Sequence, residues 1–334
     1  MASPQSPSMS STNESTGDQE SNNRYNDLIS TLPSQRWGPD GLDLHQYNGF
    51  WYPRITVEAT MAVRDRFVAR PTDVILVTFP KSGTTWLKAL TFATVNRNRS
   101  LVLSMLSKMN PHECVPFMSK LYLDGRLSDN NSLPAPRLFA VHTPFFLLPE
   151  SVLSSGCRIV YLCRDPKDNF VSLWHHFFVC AGVRGLAHFS FDEVFELFCS
   201  GVTMGGPIWE HALGYWRESL QRPERVMFMK YEEMKADTGG SLRRLSEFIG
   251  CPFLEEEERE GKVEEIVEMC SFERLSGLEV NKNGSIVFGR GEIKNKGFFR
   301  KGEVGDWKRH LSLEMAERLD RITEEKLRGS GLEF

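Results

Sequence analysis

The sequence predicts a single α/β domain in which helices flank a parallel β-sheet. Four short apolar runs, typical of buried strands, alternate with helical stretches along the chain, at residues 73–79, 137–144, 157–166 and 225–234. Such alternation places parallel strands side by side with helices on both faces of the sheet. A chain of 334 residues, of which 40% are hydrophobic and 25% charged, suits a soluble domain of this kind.

The first predicted strand, DVILVTF, runs into the segment PKSGTTWLKAL, where the chain turns through small residues into a helix. Lys81 offers a positive charge, and Gly83 lets the backbone approach a ligand closely. Ser82, Thr84 and Thr85 present hydroxyl and N–H groups at the start of the helix, where the helix dipole favours an anion. The segment therefore predicts a P-loop-like turn that binds a phosphate or a related anion.

The order of residues in this turn differs from the common phosphate-binding patterns. Lys81 precedes the only glycine, so the Walker A order G-x-x-x-x-G-K-[ST] is missing, and the dinucleotide pattern G-x-G-x-x-G is absent. A plain turn whose serine and threonine side chains only cap the helix is the structural alternative.

Polar side chains also follow the other three predicted strands. His142, Arg164 and Tyr231 come at or just after the strand ends, as Lys81 does for the first strand. Ligands of open parallel sheets bind beyond the carboxyl ends of the strands. We therefore expect these four side chains to meet at one site.

Two further segments carry groups suited to a second phosphate. The stretch CRDPKDNFVSLWHH places Arg164 at a strand end and Ser172 about two turns into the next helix. Near the C-terminus, FFRKGEVGDWK groups Arg300, Lys301 and Gly302. Arginine and lysine side chains of this kind bind phosphate oxygens through charge-assisted hydrogen bonds.

These three segments resemble the cytosolic sulfotransferases, and closely the plant branch, over roughly residues 24–334. The resemblance implies that the co-substrate is 3′-phosphoadenosine-5′-phosphosulfate (PAPS) and that no metal is needed. It implies a 5′-phosphosulfate site formed by Lys81, Ser82, Gly83, Thr84, Thr85 and Trp86. The implied 3′-phosphate site consists of Arg164, Ser172, Arg300, Lys301 and Gly302.

The same resemblance implies the contacts of the adenosine. Tyr231, in KYEEM, matches the tyrosine that contacts adenosine in the family. The stretch CSFERL matches the segment that closes over the base, which comprises Cys270, Ser271, Phe272, Glu273, Arg274 and Leu275.

The resemblance also implies the catalytic groups of an in-line sulfuryl transfer. His142 matches the general base, Lys81 would stabilise charge on the departing phosphate, and Ser172 would restrain that lysine. Many animal members carry a lysine two positions before the histidine; here that position is Ala140, as plant members commonly lack the lysine. His175 and His176 are interpreted as packing or gating residues on a helix.

The predicted acceptor is a small hydrophobic molecule that carries a hydroxyl group. We expect aromatic and apolar residues to line its pocket, from residues 47–53, 144–149, 105–125 and the segment 281–297, which is predicted to be a long mobile loop. A flavonoid or other phenolic is preferred, with a brassinosteroid, a hydroxyjasmonate and a desulfoglucosinolate as alternatives. Two other classes stay open, namely a P-loop kinase or NTPase and a catalytically silent nucleotide-binding protein.

Composition and termini predict the cellular context. A net charge of −4 argues against a nucleic-acid partner, and there is no apolar run of the roughly 18 residues that a membrane span needs. Residues 1–22 lack a secretory signal and are predicted to be a disordered tail before a domain at 23–334, which favours the cytoplasm. The stretch KRHLSLEMAE weakly resembles the dimer motif of animal members, so a monomer or weak homodimer is expected.

Overall fold

A parallel β-sheet lies at the centre of the computed structural model, which describes residues 13–37, 42–128, 134–180, 190–288 and 291–334. Its strands are β4 (Val74–Thr78), β5 (Leu138–Val141), β6 (Arg158–Cys163) and β7 (Val226–Lys230). They lie in the order β5-β4-β6-β7, and every pairing is parallel. Each strand falls within a run that the sequence predicts, so the predicted α/β fold with a parallel sheet is confirmed.

Both faces of the sheet are buried, as strand β4 illustrates. Ile75 and Val77 belong to one apolar cluster, whereas Val74 and Leu76 belong to the cluster on the opposite face. Successive side chains of a strand point to opposite faces, and both faces of this sheet are covered by helices. This double burial explains why the strands read as continuous apolar runs rather than as alternating ones.

Helices cover the two faces and the ends of the sheet. Those of the first half are α1 (Asn13–Thr31), α2 (Arg54–Arg66), α3 (Thr84–Asn96), α4 (Ser100–Leu103), α5 (Pro111–Cys114), α6 (Met118–Leu123), α7 (Glu150–Ser154) and α8 (Pro166–Trp174). Those of the second half are α9 (Phe191–Cys199), α10 (Ile208–Gln221), α11 (Tyr231–Ala236), α12 (Thr238–Phe248), α13 (Glu255–Arg259), α14 (Lys262–Met269), α15 (Phe272–Gly277), α16 (Glu279–Asn283) and α17 (Leu313–Leu327). Helix α3 contacts α12 and α14 on one face, whereas α10 contacts α17 and β7 on the other.

The N-terminal region packs as a separate layer beside the sheet. Strands β1 (Ser34–Arg36), β2 (Asp43–Tyr47) and β3 (Phe50–Pro53) form an antiparallel sheet, and α1 packs on α2. The predicted disordered tail ends at residue 22, whereas α1 already begins at Asn13. Tyr25 and Ile29, in the second half of α1, are buried, and the helix extends from this anchor into the polar sequence before it. Residues 1–12 of the predicted tail lie outside the described residues.

The prediction of a long loop at residues 281–297 is wrong. The segment contains the end of α16, a hairpin of β8 (Ser285–Phe288) and β9 (Gly291–Lys294), and a 3₁₀ turn at Asn295–Phe298. Two buried amides hold it: Asn281 accepts from Asn110 at 2.8 Å, and Asn295 donates to the carbonyl of Val280 at 2.8 Å. Because polar side chains rather than an apolar period anchor the segment, the sequence pattern did not reveal its order.

No helix in the described part of the chain is long and apolar enough to cross a lipid bilayer.

Candidate active site

A cavity of about 630 Å³ opens at the carboxyl ends of the parallel strands. Lys81, His142, Arg164 and Tyr231, which follow β4, β5, β6 and β7, all line it. The expected meeting of these four side chains at one site is therefore what the topology produces.

The turn between β4 and α3, where the sequence predicts an anion site, lines the cavity. Gly83 is the N-cap of α3 with φ +104°, and no described side chain caps this helix, which disfavours the alternative of simple capping. A Cβ atom on Gly83 would lie 2.8 Å from Cδ2 of Tyr231, so only glycine fits between the turn and this ring. Uncapped N–H groups and the helix dipole together make the start of α3 an anion site.

The predicted members of this turn divide into two groups. Lys81, Gly83, Thr84, Thr85 and Trp86 line the cavity. Ser82 does not, and the structure corrects its predicted position.

The polar groups of Ser82 are engaged inside the protein. Its backbone N–H donates to the carbonyl of Phe79 at 3.1 Å, and its buried hydroxyl accepts from Nδ2 of Asn169 at 3.1 Å. Asn169 also donates to the carbonyl of Pro80 at 2.8 Å, so these contacts attach the turn to α8.

A second group of cavity-lining residues comes from the end of β6, from α8 and from the C-terminal segment. Arg164, Ser172, Arg300, Lys301 and Gly302, for which the resemblance implies a 3′-phosphate site, all line the cavity. Nη2 of Arg164 donates to the carbonyl oxygen of Glu303 at 2.8 Å, and its guanidinium lies 4.5 Å from the centroid of the Tyr231 ring. These contacts join the strand end, Tyr231 and the C-terminal segment.

Two donors of this second group are buried without a hydrogen-bond partner. Nε of Arg164 and Nε of Arg300 have no acceptor among the described residues. Burying a charged donor without an acceptor is costly, and buried donors normally have partners. Other nitrogens of the two guanidinium groups donate to the carbonyl of Glu303 and to the carboxylate of Asp306, and both arginines line the cavity.

Asp306 orients the cations of the C-terminal segment. Arg300 donates to its carboxylate, and Lys301 does so at 3.1 Å. Burial by itself would raise the pKa of Asp306, but the hydrogen bonds from Arg300 and Lys301 outweigh burial and hold the pKa well below its usual range. Asp168 of α8 accepts from the backbone N–H groups of Gly305 and Trp307 at 2.6 and 3.0 Å, which fixes the segment on α8.

The predicted base-binding stretch surrounds one end of the cavity. Its lining members are Cys270, Ser271, Phe272, Glu273 and Leu275. Arg274 is the exception, because its side chain is 70% exposed and pairs with Glu268 at 3.3 Å. The Phe272 ring lies so close to Gly302 that a Cβ at Gly302, where φ is +66°, would approach Cδ2 of the ring to 2.7 Å.

The geometry of His142 fixes which of its nitrogens is basic. Nδ1 lies 2.7 Å from the carbonyl oxygen of Thr78, an acceptor, so Nδ1 carries the proton and Nε2 keeps its lone pair. Burial lowers the pKa of His142 to about 4, and the charges of Lys88 and Lys81 act in the same direction, whereas the hydrogen bond to Thr78 opposes them. His142 is therefore neutral near pH 7 and can accept a proton at Nε2.

Two lining residues, His112 and Phe117, come from the predicted segment 105–125, whereas His176 was predicted only as a packing or gating residue. His112 of α5 lies with Nε2 3.0 Å from the hydroxyl oxygen of Thr85, and Phe117 lies 4.8 Å from His142 between ring centroids. His176 also lines the cavity, and its Nδ1 donates to the carbonyl of Gly297 at 2.9 Å. Lys88, the charged residue within the otherwise uncharged stretch WLKALTF, is the sequence signal from which an unusual polar cluster behind the turn could have been inferred.

The other end of the cavity is mostly apolar. Of the predicted aromatic segments, residues 47–53 contribute Tyr52 and Pro53 to the lining. The prediction for residues 144–149 is wrong: none of them lines the cavity, because Leu147 and Leu148 are buried in the core. The predicted segments 105–125 and 281–297 do contribute apolar walls, with Phe117, Met118, Ile286, Phe288 and Ile293.

Comparison with known proteins gives an independent result. Residues 71–331 match the family model described as sulfotransferase domain. Cytosolic sulfotransferase 12 of Arabidopsis thaliana is 45% identical over 322 residues, which cover 95% of this chain and 96% of that protein. Cytosolic sulfotransferase 8 of the same plant is 46% identical over 311 residues, which cover 92% of each chain.

Solved structures show the same likeness. An Arabidopsis thaliana protein described provisionally as a steroid sulphotransferase has a TM-score of 0.71 at 37% identity, with 98% of this chain and 99% of that chain covered. A mouse sulfotransferase complexed with PAP has a TM-score of 0.66 at 24% identity, with 86% and 95% covered. The second likeness concerns the fold alone.

Proposed function

Because this chain belongs to the sulfotransferase family, in its plant cytosolic branch, we propose that it moves the sulfuryl group of PAPS to a hydroxyl of a small hydrophobic acceptor. One observation carries the proposal: a single cavity contains two separate anion sites. The first is the start of α3, which no described side chain caps, and the second is the group of cationic side chains Arg164, Arg300 and Lys301 that line the cavity. A nucleotide with a phosphosulfate at one end of its ribose and a phosphate at the other requires two such sites.

The residues of the cavity fit this co-substrate. Lys81, Gly83, Thr84, Thr85 and Trp86 would hold the 5′-phosphosulfate. Arg164, Ser172, Arg300, Lys301 and Gly302 would hold the 3′-phosphate. Tyr231 and the lining part of residues 270–275 would enclose the adenosine. Once bound, the co-substrate supplies a sulfuryl group activated by its anhydride bond to the 5′-phosphate.

We assign the proton transfer to His142. With Nδ1 bound to the carbonyl of Thr78, the Nε2 lone pair accepts the proton of the acceptor hydroxyl. Lys81 lies at the start of the turn, where its charge stabilises negative charge on the departing phosphate. Ser172 lines the same cavity and restrains Lys81 until the acceptor is present.

A planar phenolic, such as a flavonoid, is the proposed acceptor. The acceptor end of the cavity contains the aromatic rings of Tyr52, Phe117 and Phe288, which favour a flat or hydrophobic molecule with few polar groups. A brassinosteroid, a hydroxyjasmonate and a desulfoglucosinolate are the alternatives. The steroid alternative has the support of the related Arabidopsis thaliana structure, which is described provisionally as a steroid sulphotransferase.

The remaining properties follow from the family. We place the protein in the cytosol, as the names of its relatives indicate, with the catalytic domain at residues 23–334. We propose that it acts as a monomer or weak homodimer on free small molecules, without a nucleic-acid or membrane partner and without a metal.

The decisive experiment is transfer of radiolabelled sulfate from PAPS to separate pools of flavonoids, brassinosteroids, hydroxyjasmonates and desulfoglucosinolates, with EDTA present. Label in the flavonoid pool supports the proposal in full. Label in another pool alone keeps the reaction and corrects the acceptor. If no pool is labelled and a parallel assay without EDTA shows magnesium-dependent hydrolysis of ATP or phosphoryl transfer from it, the protein is a kinase or NTPase instead. Tight binding of 3′-phosphoadenosine-5′-phosphate (PAP) without label in any pool indicates a silent nucleotide-binding protein.

A further inference from the structure

Lys88 is a fully buried lysine on α3, one turn after the phosphate-binding residues. Its relative exposure is 0%, in a helix whose neighbouring side chains belong to the apolar core. Burial lowers the pKa of Lys88 well below its usual value, with a smaller opposing effect of Cys114. A lysine without solvent is costly in a protein interior and is rarely found there without a partner. Lys88 therefore has contacts that offset this cost.

Those contacts lead towards the cavity. Nζ of Lys88 lies 3.0 Å from Nδ1 of His112, and it lies 3.4 Å from the centroid of the Phe117 ring. The other ring nitrogen of His112, Nε2, lies 3.0 Å from the hydroxyl oxygen of Thr85. Lys88, His112 and Thr85 thus form a continuous hydrogen-bonded chain from the core to the cavity wall.

The chain has a direction, because each group has a limited set of donors and acceptors. Nζ lies over the face of the Phe117 ring, which stabilises the ammonium form of Lys88, and an ammonium group has donors only. Nδ1 of His112 must then accept, and Nε2 must carry the proton that His112 donates to Thr85. Burial first, and then the charge of Lys88, lower the pKa of His112 well below its usual value, which keeps the imidazole neutral.

The imidazole is also fixed in place by its surroundings. It stacks on Phe117 with ring centroids 5.3 Å apart and contacts Phe298 at 4.3 Å. Its backbone N–H donates to the side chain of Asn110 at 2.9 Å, which in turn donates to Asn281 of the hairpin region. His112 therefore has little freedom to turn away from Thr85.

We infer that Lys88 and His112 are positioning residues that hold the Thr85 hydroxyl as a hydrogen-bond donor to the transferring sulfuryl group. Since Thr85 accepts from His112, its own proton points to another acceptor, and Thr85 lines the cavity. A donor that is already oriented stabilises developing charge without reorganisation during the reaction. The inference rests on the proposed function, in which Thr85 contacts the phosphosulfate.

Four single variants and one double variant test this inference. Lys88→Met removes the amine but retains most of the volume, and His112→Phe retains the ring contacts but removes both hydrogen bonds. Thr85→Val removes the hydroxyl at the end of the chain, and Thr85→Val is also combined with Lys88→Met. Thr91→Val is the matched control, because Thr91 lies on the same helix with a buried hydroxyl that bonds only the carbonyl of Leu87 at 2.8 Å.

The measured quantities are kcat for sulfate transfer and the Kd of PAP, which has no sulfuryl group. We expect Lys88→Met, His112→Phe and Thr85→Val each to lower kcat about tenfold, whereas the Kd of PAP changes less than about twofold. Adding Lys88→Met to Thr85→Val should change kcat less than about twofold, because both act through one hydroxyl. Thr91→Val should keep kcat within about twofold of the original value.

Losses that multiply in the double variant overturn the inference, as does an unchanged kcat in Lys88→Met. If Lys88→Met does not fold, His112→Phe provides the same comparison in the Thr85→Val background. If the unaltered protein transfers sulfate and one of these two results is found, the inference is refuted and the proposed function stands. Absence of transfer by the unaltered protein refutes the proposed function.

A measurement without substrate gives a second readout. Two-bond ¹H–¹⁵N spectra of histidine-labelled protein, assigned by loss of one signal in His112→Phe, report the tautomer of His112. The inference requires the proton on Nε2. A proton on Nδ1 would reverse the direction of the chain and overturn it.

Discussion

The Nδ1 atom of His142 lies 2.7 Å from the carbonyl oxygen of Thr78, the last residue of β4. The hydroxyl of the same threonine lies 2.6 Å from the hydroxyl of Thr84, the first residue of α3. One residue at a strand end therefore orients the proposed base and contacts the proposed phosphosulfate turn. The position of the proposed base relative to the proposed donor site therefore depends on the end of β4 rather than on flexible loops.

Replacing His142 with alanine should abolish turnover and spare nucleotide binding. Without the Nε2 lone pair, the acceptor hydroxyl loses its base, and kcat should fall by about 10² or more. The Kd of PAP, measured by titration calorimetry, should stay within about threefold because His142 is not among the residues proposed to hold the nucleotide. A His142→Ala protein with normal kcat would exclude the histidine as the base.

The pH dependence of kcat/KM should show no histidine titration near pH 6.5. Because burial lowers the pKa of His142 to about 4, the free enzyme already has a neutral base across the range from pH 6 to 8. An acceptor with an aliphatic hydroxyl is used, so that the acceptor does not titrate in this range. A decrease of kcat/KM with an apparent pKa of 6 to 7 on the acid side would contradict this expectation.

Replacing Arg164 with alanine should discriminate between two nucleotides. The loss of a charged donor to the 3′-phosphate should raise the Kd of PAP by about 10- to 100-fold. The Kd of adenosine 5′-phosphosulfate, which has no 3′-phosphate, should change less than about threefold. Arg309→Ala is the control, since Arg309 also pairs with Asp306 but is 61% exposed and does not line the cavity. If Arg164→Ala raised the Kd of both nucleotides equally, the 3′-phosphate would have to bind elsewhere.

Two glycines of the C-terminal segment form a matched pair. Gly302 and Gly305 have φ values of +66° and +79°, so alanine costs about 1 kcal/mol of backbone strain at either position. A Cβ at Gly302 would lie 2.7 Å from Phe272, whereas a Cβ at Gly305 has no neighbour within 4 Å. Gly302→Ala should therefore displace the segment proposed to enclose the base and raise the Kd of PAP at least about tenfold. Gly305→Ala should change the Kd of PAP less than about threefold. Calorimetric Kd values that are equal for the two variants would show that Phe272 does not restrain the nucleotide.

The free energy of unfolding should decrease as the pH falls from 8 to 5. Burial lowers the pKa of His112, His142, His176 and His211, with values of about 4 for His142 and about 3 for the last two. Below pH 6.5 the unfolded chain binds protons that the folded protein does not, so each histidine destabilises the fold by roughly 2 kcal/mol at pH 5. This loss continues until the pH reaches the pKa values of the folded state.

Urea unfolding at several pH values measures this effect. His211→Gln should reduce the decrease between pH 8 and 5 by about one quarter, because one of four buried histidines is gone. An unfolding free energy that does not change between pH 8 and 5 would show that these histidines are protonated in the folded protein.

Local sequence patterns were enough to predict the sheet and the four polar residues at its edge, whereas the resemblance to a known family implied the rest of the proposed donor site. The strands are continuous apolar runs, and Lys81, His142, Arg164 and Tyr231 follow them directly, so strand ends and polar residues could be assigned without tertiary information. Parallel topology then requires these residues to meet at one edge, because the carboxyl ends of all parallel strands lie on the same side.

Other positions could be decided only in three dimensions. Ser82 and Arg274 stand within segments whose neighbours line the cavity, yet one hydroxyl turns inward to Asn169 and one guanidinium turns outward to Glu268. A residue's place in a motif does not specify which way its side chain points once the turn is folded. That direction depends on partners distant in the chain.

The hairpin at residues 285–294 and the hydrogen-bonded chain of Lys88, His112 and Thr85 belong to the same category. Periodic burial of apolar groups is repeated along the chain and can be recognised in the sequence. A buried polar group, by contrast, is stable only where a specific partner satisfies it, and that partner can come from any distance along the chain. The sequence therefore determined the sheet and the residues at its edge, whereas only the tertiary structure decided which polar groups are paired inside the protein and which face the cavity.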